Sequence, residues 1–558
     1  MTVRPPSSHA RPTSPAHPAA LALAACAACG GTPGAQAPWL VDATAAVGLD
    51  GLAHRPFSRE FHMADSMGGG CALFDLEGDG DLDLYLVRGG AAGSGAPNLL
   101  LRQEADGQFV PAEGGGGAAD TGCGMGVAVG DVDNDGDLDL YVTNLGPDRL
   151  LRNLGGGRFE DVSEEAGVAT AGWGASAGFV DYDGDGFLDL FVTRYLAYDH
   201  DAARRGSDGL TDFPGPQRFD GLPDVLYRNQ GDGTFRDVSA EAGIGARAGK
   251  GLGLGLGDLD GDGRVDAFVA NDGEANFAWL QVAPGRFEER ALALGLAFNG
   301  VGRAEAGMGV AAGDVDGDGR EEWLLTHLAG ETNTLYRQRR GGGFADETPG
   351  SGLGAASSDR TGFGVDWLDL ELDGDLDLAV ADGRIQRGPA PASAAGGDWA
   401  AYAEAGLLFL NQGACRFELL SCDRAGALSV SGVGRGLATG DLDRDGDVDL
   451  VLTFADGSVR LLRNEAPRHG RPLAVVALDP KLGREVPGAV VLLESGGRLQ
   501  HRTVSRCRGY LSSGDGAVYF GLTAPVDGLR VRWPDGRGES FAPPTSDQTV
   551  VLRKGTGS

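Results

Sequence analysis

The chain has 558 residues, with 80 Asp and Glu against 47 Lys and Arg and a formal charge of −33. So acidic a chain excludes a nucleic-acid partner, whose phosphates need a basic surface. No apolar run approaches the roughly 18–20 residues of a transmembrane helix, no long helical pattern occurs, and 96 glycines punctuate short apolar runs, the composition of an all-β chain with many tight turns.

Residues 1–38 contain no acid and are rich in Pro, Ala and Ser. Arg4 and Arg11 precede the apolar stretch 19–25, and Leu23-Ala24-Ala25-Cys26 resembles a bacterial lipobox. This predicts a signal peptide and export, to the cell envelope as a lipoprotein anchored at Cys26 or as a freely secreted protein. A disordered tail or a misplaced start codon is the alternative. Residues 39–44 (WLVDAT) resemble an F-x-D-V-S segment that recurs at 159–163 and 235–239, with weaker forms at Phe287 and Phe344.

From Asp75 onward one acidic loop, D-x-[DE]-x-D-G-x-x-[DE], occurs seven times. Its positions 1, 3, 5, 7 and 9 are Asp75, Glu77, Asp79, Asp81 and Asp83; then Asp131, Asp133, Asp135, Asp137 and Asp139; then Asp181, Asp183, Asp185, Phe187 and Asp189. The fourth copy has Asp258, Asp260, Asp262, Arg264 and Asp266, and the fifth Asp314, Asp316, Asp318, Arg320 and Glu322. The sixth has Asp369, Glu371, Asp373, Asp375 and Asp377, and the seventh Asp441, Asp443, Asp445, Asp447 and Asp449. Four fixed acidic positions would coincide by chance in roughly one window in 2,400.

Calcium takes six to eight oxygen ligands in a flexible shell, and alternate carboxylates of a tight loop converge on one point. Gly at position 6 makes the turn. Position 7 accepts Phe or Arg, which predicts ligation through its backbone carbonyl. An EF-hand is excluded, because position 12 is Leu86, Val142, Val192, Val269, Leu325, Val380 or Leu452 rather than a bidentate Glu. Metal-free D-G hairpin turns are the alternative for a single loop. For seven loops, repulsion among clustered carboxylates favours a cation, and up to seven Ca²⁺ would bring the charge from −33 to −19. Magnesium, strictly octahedral, fits such a cage poorly. Glu322 at position 9 and Leu372 at position 4 predict weaker fifth and sixth sites.

Loop starts lie 56, 50, 77, 56, 55 and 72 residues apart, a period that suits one four-stranded propeller blade. Positions 8–12 read as an inner strand following each loop, and L-[LY]-R-N at 150–153, 226–229 and 461–464 as a further strand. The last blade ends at Asn464 without an F-x-D-V-S strand, so residues 39–44 are predicted to complete it and close the ring.

These repeats resemble FG-GAP/VCBS repeats, the calcium-loop blades also seen in integrin α-subunit propellers. The tail segments Gly488-Ala489-Val490, Gly509-Tyr510-Leu511-Ser512, 518–522 and Val531-Arg532-Trp533-Pro534-Asp535-Gly536 resemble the ASPIC/UnbV domain of the cartilage acidic protein family and its bacterial relatives. The resemblance covers roughly residues 39–555. It implies a leader at 1–38, a seven-bladed propeller at 39–465 and a small ASPIC/UnbV-like β-domain at 466–558, with strands near 529–533 and 549–552 suggesting a β-sandwich. It further implies an extracytoplasmic, calcium-binding, adhesion-like protein rather than a defined reaction.

Position 14 of each repeat (Arg88, Asn144, Arg194, Asn271, His327, Asp382 and Phe454) marks the far ends of the strands, where insertions at about 195–222 and 383–404 also leave. Asn144, Arg194, Asn271, His327 and Asp382 are therefore the candidate ligand face; solvated strand ends lining a wet channel are the alternative. Cys415 and Cys422 could bridge across a hairpin, with buried free thiols the alternative for the other cysteines. Arg502, Arg506 and Arg508 could dock on the acidic propeller or lie in solvent. The functional reading is a non-enzymatic scaffold for an extracellular or envelope protein or glycan. An enzyme acting through the axial face on a glycan or small metabolite is the alternative, although no nucleophile–base, phosphate-loop or dinucleotide motif occurs.

Overall fold

In the computed structural model, which describes residues 37–52, 57, 60–89, 96–199, 212–394, 396–544 and 549–558, each acidic loop joins the first two strands of a four-stranded antiparallel meander. In the second blade the strands are Gly124–Gly130, Asp139–Asn144, Arg149–Asn153 and Phe159–Asp161. Seven such sheets follow in chain order; the first strands of successive blades pack side by side and the seventh meets the first, which closes a ring. Cys26 and the rest of the leader lie outside the described residues. Among the described residues no helix is long and apolar enough to cross a membrane.

The strand after each loop is the second of its blade, not the innermost as expected. The innermost is the strand before the loop, glycine-rich in most blades, because neighbouring backbones approach one another closely there and leave no room for a Cβ at particular positions. In Gly251–Gly257 (GLGLGLG), a Cβ on Gly253 would stand 2.1 Å from the Met308 carbonyl oxygen of the next blade. Threonines at the ends of second strands tie neighbouring blades: Thr143 Oγ1 donates to Ala175 O at 2.6 Å, Thr193 Oγ1 to Leu252 O at 3.1 Å and Thr326 Oγ1 to Phe363 O at 3.0 Å.

The ring closes through Leu40–Asp42, which pairs with the third strand of blade 7 in the register Leu40↔Asn464 and Asp42↔Leu462. The reason is the turn chemistry shared with F-x-D-V-S. In blade 2, Asp161 Oδ1 accepts the Ser163 amide (3.0 Å) and Ser163 Oγ accepts the Leu150 amide (2.9 Å). At the N-terminal strand Asp42 Oδ1 accepts the Thr44 amide (2.9 Å) and Thr44 Oγ1 accepts the Leu461 amide (3.0 Å). Leu40–Asp42 covers the edge that the third strand of blade 7 would otherwise expose.

The tail is a sandwich. One sheet is built on Arg471–Asp479, Val518–Leu522 and the parallel Val550–Arg553; the other on Val490–Ser495, Arg498–Thr503, Val526–Arg532 and Gly538–Phe541. Val475, Val491, Phe520, Val531 and Trp533 fill the space between them. One segment leaves this sandwich and fills the propeller axis. Ser513 pairs in parallel with Ala72 of blade 1. Leu511 O accepts the Val127 amide of blade 2 (3.1 Å), and its own N–H reaches Ser176 Oγ of blade 3 (3.2 Å). Cys507 Sγ lies 3.4 Å from Leu254 O of blade 4, and Gly509 exchanges both backbone bonds with Val310 of blade 5 (2.9 and 3.0 Å). Arg508 faces Asp366 of blade 6 at 3.5 Å, and the Asp515 amide donates to Thr439 O of blade 7 at 3.2 Å. A segment that touches all seven innermost strands lies on the axis.

Candidate metal centre

Each loop is wound by its own carboxylates. The position-1 Asp accepts the amide of the position-6 Gly in all seven copies, at 2.8–3.0 Å. Gly136, at φ 95°, shows why position 6 is Gly. The position-5 Asp accepts the position-7 amide in every copy, as Asp135 does from Asp137 at 2.9 Å. The position-9 acid is spent twice. Asp139 Oδ2 accepts the position-2 amide of Val132 (2.9 Å), and Oδ1 accepts the Asn153 amide of the third strand (2.7 Å). The Arg of L-[LY]-R-N faces position 3 in blades 3 and 7, where Arg228 lies 2.6 Å from Asp183 and Arg463 3.3 Å from Asp443; Arg102, in the related L-L-R-Q of blade 1, lies 3.5 Å from Glu77. The Asn of that motif bonds the position-8 carbonyl, as Asn229 Nδ2 does to Leu188 O at 3.0 Å.

Positions 1, 3 and 9 converge. In Asp131, Asp133 and Asp139, and again in Asp181, Asp183 and Asp189, one carboxylate oxygen from each residue lies within 4.8 Å of the others; in loop 4 it is positions 1, 3 and 5, Asp258, Asp260 and Asp262, that gather so. Buried oxygens of Glu77 (Oε2), Asp133 (Oδ1), Glu371 (Oε2) and Asp447 (Oδ1) have no hydrogen-bond partner. Buried, orphaned carboxylate oxygens gathered at one point fit a hard divalent cation. At position 7, Arg264 and Arg320 turn their guanidinium groups to Asp262 and Asp318.

Burial pushes the position-9 carboxyls far above their ordinary range, against the opposing pull of their backbone hydrogen bonds: Asp83 to about 7, and Asp139, Asp189 and Asp266 to about 8. Groups raised on folding contribute stability that is complete below the unfolded value near 4 and is lost as pH rises through the folded value. Metal-stripped protein is therefore expected to melt highest near pH 5 and progressively lower toward pH 9. Saturating calcium should flatten that slope, because the cation replaces the protons. Thermal unfolding across this range with and without calcium measures it; equal slopes would contradict it.

The tail covers the loop face: of the three arginines left open by sequence, Arg502 and Arg508 meet propeller groups, whereas Arg506 pairs with Glu485 of the tail itself. Arg484 donates to Asn134 Oδ1 (2.8 Å) and Gly186 O (3.0 Å), bridging loops 2 and 3. Arg532 lies 3.8 Å from Asp258 of loop 4. Buried Arg502 donates to Gly374 O of loop 6 at 3.5 Å, and the charges of Asp369 and Asp314 favour its ionised form. Arg498 pairs with Asp375, and Arg468 Nε donates to Asp447 at 3.1 Å. Nothing in local sequence pattern signals these contacts; only the sign of the charges does.

The candidate ligand face is not an open surface. Asn144, Arg194, Asn271, His327 and Asp382 are all buried. Asn144 Nδ2 donates to Asp120 (3.0 Å), Arg194 pairs with wholly buried Asp148 (3.1 Å), and Asn271 Nδ2 donates to Ala275 O (2.7 Å). His327 lies 3.8 Å from Glu305, and burial holds its imidazole below the ordinary value. Burial beside Glu404 drives the Asp382 carboxyl well above the ordinary range. On this side Phe57, from the segment before blade 1, and Phe213, Trp399 and Tyr402, from the insertions, form an aromatic cluster with centroids 4.8–6.3 Å apart, and Tyr402 OH donates to Asp212 at 2.7 Å. Cys415 and Cys422 do not bridge: both are free, Cys415 buried toward loop 5 and Cys422 exposed at the start of a helical turn.

The FG-GAP-like repeat model matches residues 75–142, 131–192, 207–269 and 258–325, and the ASPIC and UnbV model matches residues 480–558. No curated protein matches the chain. Similar solved structures include an Agrocybe aegerita lectin described as recognising non-reducing terminal N-acetylglucosamine (15% identity, TM-score 0.40, 70% of this chain and 87% of that one). The rhamnogalacturonan lyase YesW is similar at 16% identity and TM-score 0.37 over 71% of each chain, and YCF48 bound to D1 peptide at 8% and 0.40 over 78% and 99%. Repeats and tail together identify the family: this chain belongs to the FG-GAP-like repeat proteins that carry a C-terminal ASPIC/UnbV domain.

Proposed function

We propose that this chain is a calcium-binding propeller scaffold, exported from the cytoplasm and either secreted or held at the envelope through lipid on Cys26, that presents a rigid surface to a protein or glycan partner without catalysing a reaction. The observation that carries it is the set of buried, unpartnered carboxylate oxygens in the loops, which a hard cation would satisfy. Calcium is abundant outside the cytosol, where sites of modest affinity fill.

The tail occupies the loop face and the axis, so the partner surface is assigned to the opposite side, where half-buried Phe57 and Trp399 pack against buried Phe213 and Tyr402. Aromatic side chains carried on a rigid frame suit both sugar rings and peptide side chains. The test is to immobilise the full chain with calcium or with chelator and expose it to a glycan array and to envelope extract. Retention of a defined glycan or a stoichiometric protein, lost in chelator and weakened by Trp399→Ala, is the expected result. A converted glycan or metabolite with no retained partner would overturn it in favour of an enzyme.

A further inference from the structure

Loops 5 and 6 depart from the other five, and each has beside it, from another segment of the chain, a donor that is not oxygen: Cys415 and His469. We propose that these two loops hold a divalent transition ion of the zinc class rather than calcium; this rests on the reading that the loops are metal sites.

In loop 5 position 9 is Glu322, not Asp. Its Oε2 accepts the Val315 amide at 3.1 Å, as the shorter acid does elsewhere. The extra methylene carries Oε1 away from the third-strand amide that position-9 Asp accepts in the other loops. Glu322 is 0% exposed and Oε1 has no partner. Beside it, Cys415 reaches in from a turn of blade 6, with Sγ 3.7 Å from Asp316 Oδ2. Donor atoms of Asp316, Glu322 and Cys415 all lie within 4.8 Å of one another. Arg337 already pairs with Asp316, so the three donors carry a net charge of about −2 once the thiol ionises, which matches one divalent ion.

Loop 6 repeats the arrangement with nitrogen. Glu371 is 4% exposed and its Oε2 has no partner. His469 comes from the connection after blade 7, fixed there by its amide donating to Glu371 O at 2.6 Å. Glu371, Asp373 and His469 offer donor atoms within 4.8 Å of one another. Calcium gains little from thiolate or imidazole, whereas zinc binds sulfur, nitrogen and carboxylate oxygen and is satisfied by three protein ligands and a fourth position.

The experiment uses the full chain, stripped of metal, equilibrated with zinc or cobalt in excess calcium and desalted, with both metals counted by elemental analysis. The expected result is about two zinc ions retained per chain alongside calcium, with a thiolate-to-cobalt charge-transfer band in the cobalt form. Cys415→Ser should abolish the band and one equivalent, and His469→Ala the other, each weakening its site by more than about 100-fold, since even an outer partner of a ligand costs 10–100-fold. Cys415→Asp, which restores an all-oxygen loop, should exchange that zinc for calcium and so separates ligand loss from misfolding. X-ray absorption should show a sulfur neighbour at about 2.3 Å from zinc. Calcium retained without zinc would overturn the proposal and leave the calcium reading intact; neither metal retained would overturn both. Zinc retained equally by all variants would also overturn the proposal.

Discussion

Stripping metal from the loaded protein should lower its melting temperature by roughly 10–20 °C, and calcium should restore it far better than magnesium. An ion that binds only the folded chain adds RT ln(1 + [L]/Kd) per site, about 2.7 kcal/mol at a hundred times Kd. Several loops add in parallel, because they sit in separate blades. The structural reason for a large effect is where the carboxylates lie. Asp83, Asp139, Asp189, Asp266 and Asp449 are almost wholly buried, at 0–2% exposure. They are held there by backbone bonds that wind the loop, with position 1 and position 3 acids converging beside them. Without a cation these groups must take up protons or repel one another. The loops also carry the tail arginines: Arg484 bonds the loop 2 and 3 backbone region and Arg468 the loop 7 acids. Loosened loops therefore loosen the tail, and limited proteolysis between residues 464 and 471 should accelerate in chelator. An unchanged melting profile in chelator, with no metal by elemental analysis, would overturn the account.

The parts of this fold legible in sequence are those whose chemistry is local. The loop repeats because position 1, 5 and 9 acids each bond amides at fixed offsets, so spacing alone reveals it. The closing strand was readable because Asp42 and Thr44 perform the turn chemistry of Asp161 and Ser163. What escaped is chemistry between distant segments. Cys71 N–H meets Ser512 Oγ across 441 residues, and the plug strands Cys507–Arg508 and Ser512–Ser513 are two residues long, too short for any alternation. Glycines at the axis read as turn residues, although Gly70 is small because a Cβ would stand 1.9 Å from Leu511 O. The burial of the candidate ligand face is not legible in sequence, because polar residues at strand ends read as solvent-facing. Blade connections and insertions bury them, and their polar heads are satisfied only in part: Asn144 Oδ1, Asn271 Oδ1, His327 Nδ1 and both Asp382 carboxylate oxygens have no hydrogen-bond partner.

Removing the side chain that seats the plug should be among the most damaging single changes in the chain. Tyr510 is 0% exposed; its hydroxyl donates to Met67 O at 2.9 Å, and its ring stands edge-on to Phe363 at 4.9 Å. Tyr510→Ala should cost about 3–5 kcal/mol, from lost burial and the cavity left among residues that cannot close around it. Tyr510→Phe keeps the ring and should cost only about 1 kcal/mol, the net value of the hydrogen bond. The damage should also be local before it is global. The Val127 amide bonds Leu511 O, and the Val310 amide bonds Gly509 O. Both belong to innermost strands that would otherwise be among the last to exchange. Hydrogen exchange should therefore show these two amides losing protection in Tyr510→Ala, well ahead of Val475 and Val491 in the sandwich core. If Val127 and Val310 stayed as protected as in the wild type while the melting point fell, the plug would be a passive filler and the ring would hold its axis alone. Loss at both sites together, in blades 2 and 5 on different sides of the ring, requires that a single tail segment braces the whole circle.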